Sequence, residues 1–334
     1  MNIVGVDLGG TKVRAVLADG TGKLLARTDR PTQADKGLDA VIDNIVSVIN
    51  KVMSKSTPGE VLAIGIGAPG PLNPRTGVVF SPPNLPGWTD VPLRDLIEAK
   101  LGLPVYLGND ANLAALGEYT FGAGKEYRYL VYITVSTGIG GGIIEDGNII
   151  NGARGAAGEI GHMTIKLDGP VCNCGNIGCF EALASGTAIR KRALDLLDTN
   201  RPTLLRELSN NNLDSVNAVM VEKAAKLGDE AALELLYETA IYLGVGITNI
   251  LHLFNPEIVV IGGGVSQVGD LIFEPLRAEV NRRAMPAFRE NVPIVPTDLG
   301  DDVGLYGTVA LVLQNSEDAQ RRKPQLAHLR RDGI

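Results

Sequence analysis

The sequence predicts an α/β protein of two domains with a cleft between them, and three observations carry that prediction. One strand–turn–strand–turn unit occurs twice, buried strand-like runs alternate with segments of helical period, and Gly or Pro breaks separate them. The length of 334 residues suits two domains of ordinary size.

The first copy is NIVGVDLGGTKVRAVLADGTGKLLA, read as strand, glycine turn, strand, Asp19-Gly20 hairpin turn and strand. Asp-Gly between apolar runs is a strong hairpin signal. Beneath it falls YLVYITVSTGIGGGIIEDGNIINGA, at one constant offset and without a gap. Val4 lies over Val131, Asp7 over Thr134, Val16 over Ile143, and Asp19-Gly20 over Asp146-Gly147. That is the pattern of a duplicated domain. Between the copies, Leu38, Val41, Ile42, Ile45, Val48, Ile49 and Val52 recur at helical spacing, which predicts a helix within Gly37 to Lys55. VLAIGIGAPG reads as a buried strand, and NPRTGVVFSPPNLPGW as a surface loop of the sort that carries binding residues. A helix at Leu93 to Leu101 leads to the strand PVYLGND.

In the second half, helices are expected from Cys179 to Leu197 and from Asp229 to about Leu253. PEIVVIGGGV gives another buried strand, and VGLYGTVALVL a closing helix. The expected division is a small domain at 1–108, joined by the helix near 303–318, and a large one at 109–302. Residues 319–334, rich in Lys and Arg, are expected to be a disordered tail.

A formal net charge of −7 argues against a nucleic-acid partner, whose phosphates demand a basic surface. MNIVGVDLGG has no basic start and no long apolar stretch, so no signal peptide is expected. No run approaches the roughly 20 apolar residues of a membrane span. A cytoplasmic protein without a membrane partner is the expectation.

All three cysteines fall within CNCGNIGC, Cys172 to Cys179. A disulfide framework links distant parts of small secreted domains and uses even numbers, so it fits poorly. Three thiols with Gly175 and Gly178 suit a tight loop around one metal ion. Zinc is the expected ion, with Cys172, Cys174 and Cys179 as ligands and imidazole as the usual fourth. His162, ten residues before Cys172, is near enough for one loop to close on it.

Three glycine-rich turns point to a phosphate ligand. Gly9 and Gly10 let the backbone approach a bulky anion, Asp7 can hold a hydrated Mg²⁺, and Thr11 and Lys12 can reach phosphate oxygens. The second copy carries Ser136, Thr137, Gly138 and more glycines at the same place, and Gly262-Gly263-Gly264 follows a buried strand. None has the P-loop spacing or the strand–GxGxxG–helix layout. Together they suggest two phosphate hairpins facing each other, and a nucleotide pocket behind them.

Carboxylates and amides suit sugar hydroxyls, because they make paired hydrogen bonds at fixed spacing. Asn109-Asp110 ends a strand, Glu159 and His162 stand three apart in GEIGH, and Glu181 follows Cys179 by two. A second reading stands beside this one: Asp110 caps the helix that follows, and the two glutamates are surface acids.

DLGGTK, GND, STGIGGG, GEIGH, CNCGNIGC followed by FE, and IGGG occur in an order that resembles the ROK family of repressors and sugar kinases, most of all its bacterial kinases of glucose. The resemblance runs from Asp7 to about Thr308. It implies an actin-like, ribonuclease H-like duplicated ATPase fold and ATP-dependent phosphorylation of glucose, or of another hexose such as mannose, fructose or an N-acetylhexosamine. It implies Asp110 as catalytic base, Asn109, Glu159, His162 and Glu181 around the sugar, and structural zinc on His162 and the three cysteines. ATP, catalytic Mg²⁺, the hexose and a homo-oligomer, dimer or tetramer, complete the expectation. A DNA-binding regulator is disfavoured by Asp7 standing six residues from Met1. Because His162 and Glu181 belong to knuckle and sugar pocket alike, loss of a thiolate is expected to weaken glucose binding far more than ATP binding.

Overall fold

The computed structural model describes residues 1–210 and 212–326. The first run of elements is β1 (Asn2–Leu8), β2 (Lys12–Asp19), β3 (Leu24–Pro31), α1 (Leu38–Met53) and β4 (Val61–Ala68). A two-stranded ribbon, β5 (Leu72–Asn73) and β6 (Val78–Val79), precedes α2 (Leu93–Leu101), β7 (Val105–Asn109) and α3 (Asp110–Phe121). Then come β8 (Leu130–Val135), β9 (Ile139–Glu145), β10 (Asn148–Ile149), α4 (Phe180–Ala184) and α5 (Gly186–Leu197). Helices α6 (Leu205–Leu208), α7 (Ala218–Lys226) and α8 (Glu230–Phe254) lead to β11 (Ile258–Gly262). The chain continues through α9 (Asp270–Arg283), α10 (Pro286–Arg289) and β12 (Ile294–Pro296) to α11 (Val303–Gln314) and α12 (Ser316–Leu326).

Two five-stranded sheets share one plan. The first has the order β3-β2-β1-β4-β7 and the second β10-β9-β8-β11-β12. In each, the opening strand pairs in parallel with a later one: β1 with β4, and β8 with β11. The turns match to the residue, since β1 ends at Leu8 and β8 at Val135, while β2 begins at Lys12 and β9 at Ile139. These are the positions that the sequence superposition paired, so the duplication is structural.

Backbone contacts divide the chain into two compact units. Unit 1 comprises Met1–Glu126, Gly142–Gly158 and the residues from Asp301 onward; unit 2 comprises Tyr127–Gly141 and Glu159–Gly300. This differs from the expected division at 108/109. The cause is α3, which packs along α11, with Gly307 lying directly against the Leu113 backbone. Residues after Asn109 therefore stay with the first sheet.

In unit 1, α1 buries Val41, Ile45, Val48 and Ile49 against one face of the sheet, in the spacing the sequence displayed. On the other face, Leu305, Val309 and Val312 of α11 bury Ile3, Val16 and Ala63. The tail expectation is overturned for the part that is described. Helix α12 buries Ala319 fully, accepts the Tyr106 hydroxyl on Asp318 at 2.7 Å, and pairs Arg322 with Glu98 at 2.5 Å. Lys323 donates to the Gly59 carbonyl at 2.6 Å. The basic residues find acceptors on α2 and in the turn before β4, and a charge count cannot reveal that. Residues 327–334 lie outside the described chain.

In unit 2, the helix expected over Cys179 to Leu197 is two helices. Ser185 adopts extended backbone between them, and its side chain accepts the Ala188 N–H as the N-cap of α5. Helix α8 matches its expected span. It is the one helix among the described residues long and apolar enough to cross a membrane by length and composition, and most of it is buried in the protein.

Candidate nucleotide, sugar and metal site

The knuckle is built by tight turns in unit 2. Cys172 N–H donates to Asn176 at 2.8 Å, Gly175 N–H returns to the Cys172 carbonyl at 2.9 Å, and Val171 bridges Ile177. Gly178 is required twice over: its φ is 71°, and a Cβ there would overlap the Lys166 carbonyl oxygen. The loop brings one ligand atom from each of His162, Cys172, Cys174 and Cys179 within 4.8 Å of the others. Cys172 Sγ lies 3.8 Å from His162 Nδ1, and Cys174 Sγ 3.7 Å from Cys179 Sγ. Zinc–sulfur bonds of about 2.3 Å in a tetrahedron require ligand edges of about 3.8 Å, so the residues fit that ion. All three cysteines are free. Burial and the neighbouring thiols push Cys179 up to about 12, while the Asn176 N–H holds Cys174 below its ordinary value. Crowded thiols with opposed tendencies are a donor set that a divalent cation would convert to thiolates.

The imidazole faces two ways. Nδ1 is turned to Cys172, and Nε2 lies 4.0 Å from a Glu159 carboxylate oxygen. Glu181, in the first turn of α4, accepts the Ile139 N–H on Oε2 at 2.9 Å, and its Oε1 lies 3.9 Å from Cys172 Sγ. Glu159, His162, Glu181 and the cysteines therefore form one cluster, as the sequence spacing suggested.

The second glycine turn borders two cavities. One of about 380 Å³ is lined by Ser136, Thr137 and Gly264 together with Thr187, Asn217 and Val265. The other, about 330 Å³, lies between Thr137, Gly138 and the knuckle residues Cys172 and Glu181. Gly263 lies in the third turn, and its carbonyl accepts the Ser266 hydroxyl at 2.7 Å. Sequence reasoning missed the cavity wall on α5 and α7, including Arg190, Asn217 and Glu222. Only the N-cap signals at Ser185 and Asn217 would have pointed there, because these residues lie far along the chain from the glycine turns.

In unit 1, the first turn closes with Gly9 N–H donating to the Lys12 carbonyl at 3.0 Å. Buried Thr32 donates its hydroxyl to the Gly9 carbonyl at 2.6 Å and its N–H to Thr11. Asp7 pairs with Arg14, its partner across the strands, at 2.5 Å through Oδ2. Arg14 also donates to the Asp301 carbonyl ahead of α11. Lys12 lies 3.1 Å from Asp29 in an exposed pair. At the end of β7, Asn109 is the N-cap of α3, accepting from Ala111 and Asn112. The cap is thus Asn109, which leaves Asp110 at the first helical position with Oδ1 fixed by the Ala111 N–H at 2.8 Å.

The model of the ROK family matches residues 3–315. The chain belongs to the ROK family. It is 37% identical over 312 residues to a glucokinase of Thermotoga maritima, covering 93% of this chain and 97% of that one. It is also 35% identical to a xylose repressor of Caldicellulosiruptor bescii, covering 94% of this chain but 78% of the repressor. Among solved structures, a ROK glucokinase of Streptomyces griseus in complex with glucose and AMPPNP superposes with a TM-score of 0.80 at 34% identity, covering 94% of this chain and all of that one. The ROK fold is an actin-like ATPase fold, as the family resemblance implied and in accord with the doubled sheet.

Proposed function

We propose that this ROK protein transfers the γ-phosphoryl group of ATP to the 6-hydroxyl of glucose. The observation that carries the reading is the end-to-end similarity to glucokinases, joined to the place of Asp110 at the start of α3, beside the cap Asn109. Asp110 orients the 6-hydroxyl and accepts its proton as the bond to phosphorus forms. Asn109, Glu159, His162 and Glu181 read the remaining hydroxyls. The amides of Gly10, Thr137 and Gly138 receive phosphate oxygens, Gly9 closes the first turn around them, and the cavity between Ser136, Asn217 and Gly264 receives the nucleoside. Mg²⁺ held near Asp7 neutralises phosphate charge when MgATP is bound. Zinc would sit on His162, Cys172, Cys174 and Cys179, where four protein ligands leave no open position and the ion supplies rigidity. With Nδ1 so engaged, Nε2 of His162 is left for a sugar hydroxyl.

A coupled assay across glucose, mannose, fructose and N-acetylhexosamines, with ATP or polyphosphate as donor, tests the reading. The highest kcat/KM is expected for glucose with ATP; absence of turnover with glucose would overturn it. The similarity to xylose repressors favours one second reading, a regulator, and xylose binding without turnover of any sugar would support that instead. A dimer or tetramer is the proposed working state, checked by sedimentation velocity.

A further inference from the structure

The second glycine turn is fixed by the residue that the sugar site uses. The Gly138 carbonyl accepts the Ser136 N–H at 2.9 Å, and the next N–H, that of Ile139, donates to Glu181 Oε2 at 2.9 Å. One peptide plane is therefore held at both its oxygen and its nitrogen. Gly138 has no left-handed φ, so turn geometry alone does not demand glycine there. A Cβ at that position would overlap Glu181 Oε2, so the missing side chain is the space the carboxylate occupies. On the other side of the turn, the Thr187 hydroxyl donates to the Thr137 carbonyl at 2.7 Å, and Gly186 N–H to the Ser136 carbonyl at 2.7 Å. Both donors sit on α5, directly after the short helix that begins beside Glu181.

We propose that Glu181 is a positioning residue for the nucleotide as well as a ligand of the sugar, acting by orienting the Gly138–Ile139 peptide. The inference rests on the kinase reading above and assigns that site an internal coupling. A charged acceptor fixes the peptide plane more firmly than a neutral one, and that plane anchors the end of the turn that carries the Thr137 and Gly138 amides. Through Cys172, 3.9 Å from Oε1, the same carboxylate senses the state of the knuckle. Whatever moves Glu181, whether an arriving sugar or a lost metal, alters the phosphate turn.

The test is ADP binding by calorimetry in the complete absence of sugar, where a residue serving only the sugar has no effect. Glu181→Ala is expected to weaken ADP about tenfold, the range for a hydrogen bond to a charged group. Glu181→Gln retains an oxygen that can accept from Ile139 and is expected to stay within about threefold of the parent. Gly138→Ala should match Glu181→Ala, and the double variant should lose no more than the worse single one, because both break the same contact. Amide exchange at Ile139 should rise in Glu181→Ala, with the melting temperature confirming a folded chain. ADP affinity unchanged in folded Glu181→Ala would overturn the proposal. If the parent protein itself binds no ADP, the kinase reading fails instead.

Discussion

The two glycine turns occupy the same place in two copies of one sheet, yet they are anchored by unlike means. The first is held from within its own unit's core: the Gly9 carbonyl takes the hydroxyl of fully buried Thr32, whose carbonyl is in turn read by Asn44 of α1. The second is held by α4 and α5, through Glu181 and Thr187, beside the cysteine knuckle. Duplication copied the strands and the turn, while the supports came from whatever chain was inserted afterwards. The first turn is thus a fixed fixture, and the second one answers to the chemistry around it.

The largest expected effect separates chemistry from either turn. Asp110→Asn keeps the first turn of α3, since Asn109 is the cap, and should lower kcat by at least about 100-fold. Glucose and ADP affinities, measured by calorimetry, should change little. A variant retaining more than about a tenth of the parent kcat would remove Asp110 as the base.

Breaking the support of the second turn comes next. Elemental analysis should find about one zinc per parent chain, and Cys174→Ser should lose most of it. Glucose affinity should fall about 10–100-fold, as changes around metal sites usually do. The sequence led to the expectation that glucose binding suffers far more than ATP binding; the coupling proposed above predicts a nucleotide effect as well, because Glu181 lies beside both Cys172 and the Ile139 amide. ADP affinity should fall with it, and selective loss of glucose alone would restore the earlier view.

The first turn should fail differently. Thr32→Val removes the donor to a partly buried carbonyl and should cost about 1–3 kcal/mol of stability in chemical denaturation. Its effect on ADP should be a few-fold, and glucose affinity should be untouched. A glucose effect equal to that of Cys174→Ser would erase the contrast between the turns. Smallest of all, Lys12→Met removes an exposed pair with Asp29 and should change stability by less than ~1 kcal/mol. A drop in ADP affinity beyond about threefold would show that Lys12 leaves Asp29 for a phosphate.

Much of this was legible in the sequence for physical reasons. Strand and turn positions of the two copies could be superposed because period and turn chemistry are local, and the cysteines declared themselves by crowding. The helical stripe of α1 survived intact for the same reason. What escaped was long-range. Nothing local says that α3 nests against α11, or that Arg322 finds Glu98 more than two hundred residues away. The Glu181–Ile139 bond was likewise hidden, although the spare glycine at 138 was its trace. Asp110 could be read as cap or base from sequence; the structure gives the cap to Asn109, and the base remains the proposal above.

The placement of α11 also bears on how the protein is made. Leu305, Val309 and Val312 cover Ile3, Val16 and Leu62, so β1, β2 and β4 wait for α11, far later in the chain, before one face of their sheet is closed. Unit 2, whose segments lie between residues 127 and 300, has every one of its elements available before that happens. On the ribosome the order of completion should therefore invert the order of translation, with the early sheet exposing apolar surface for most of elongation. Such a chain needs its nascent N-terminal half shielded, and is most prone to aggregate when synthesis stalls before Asp301.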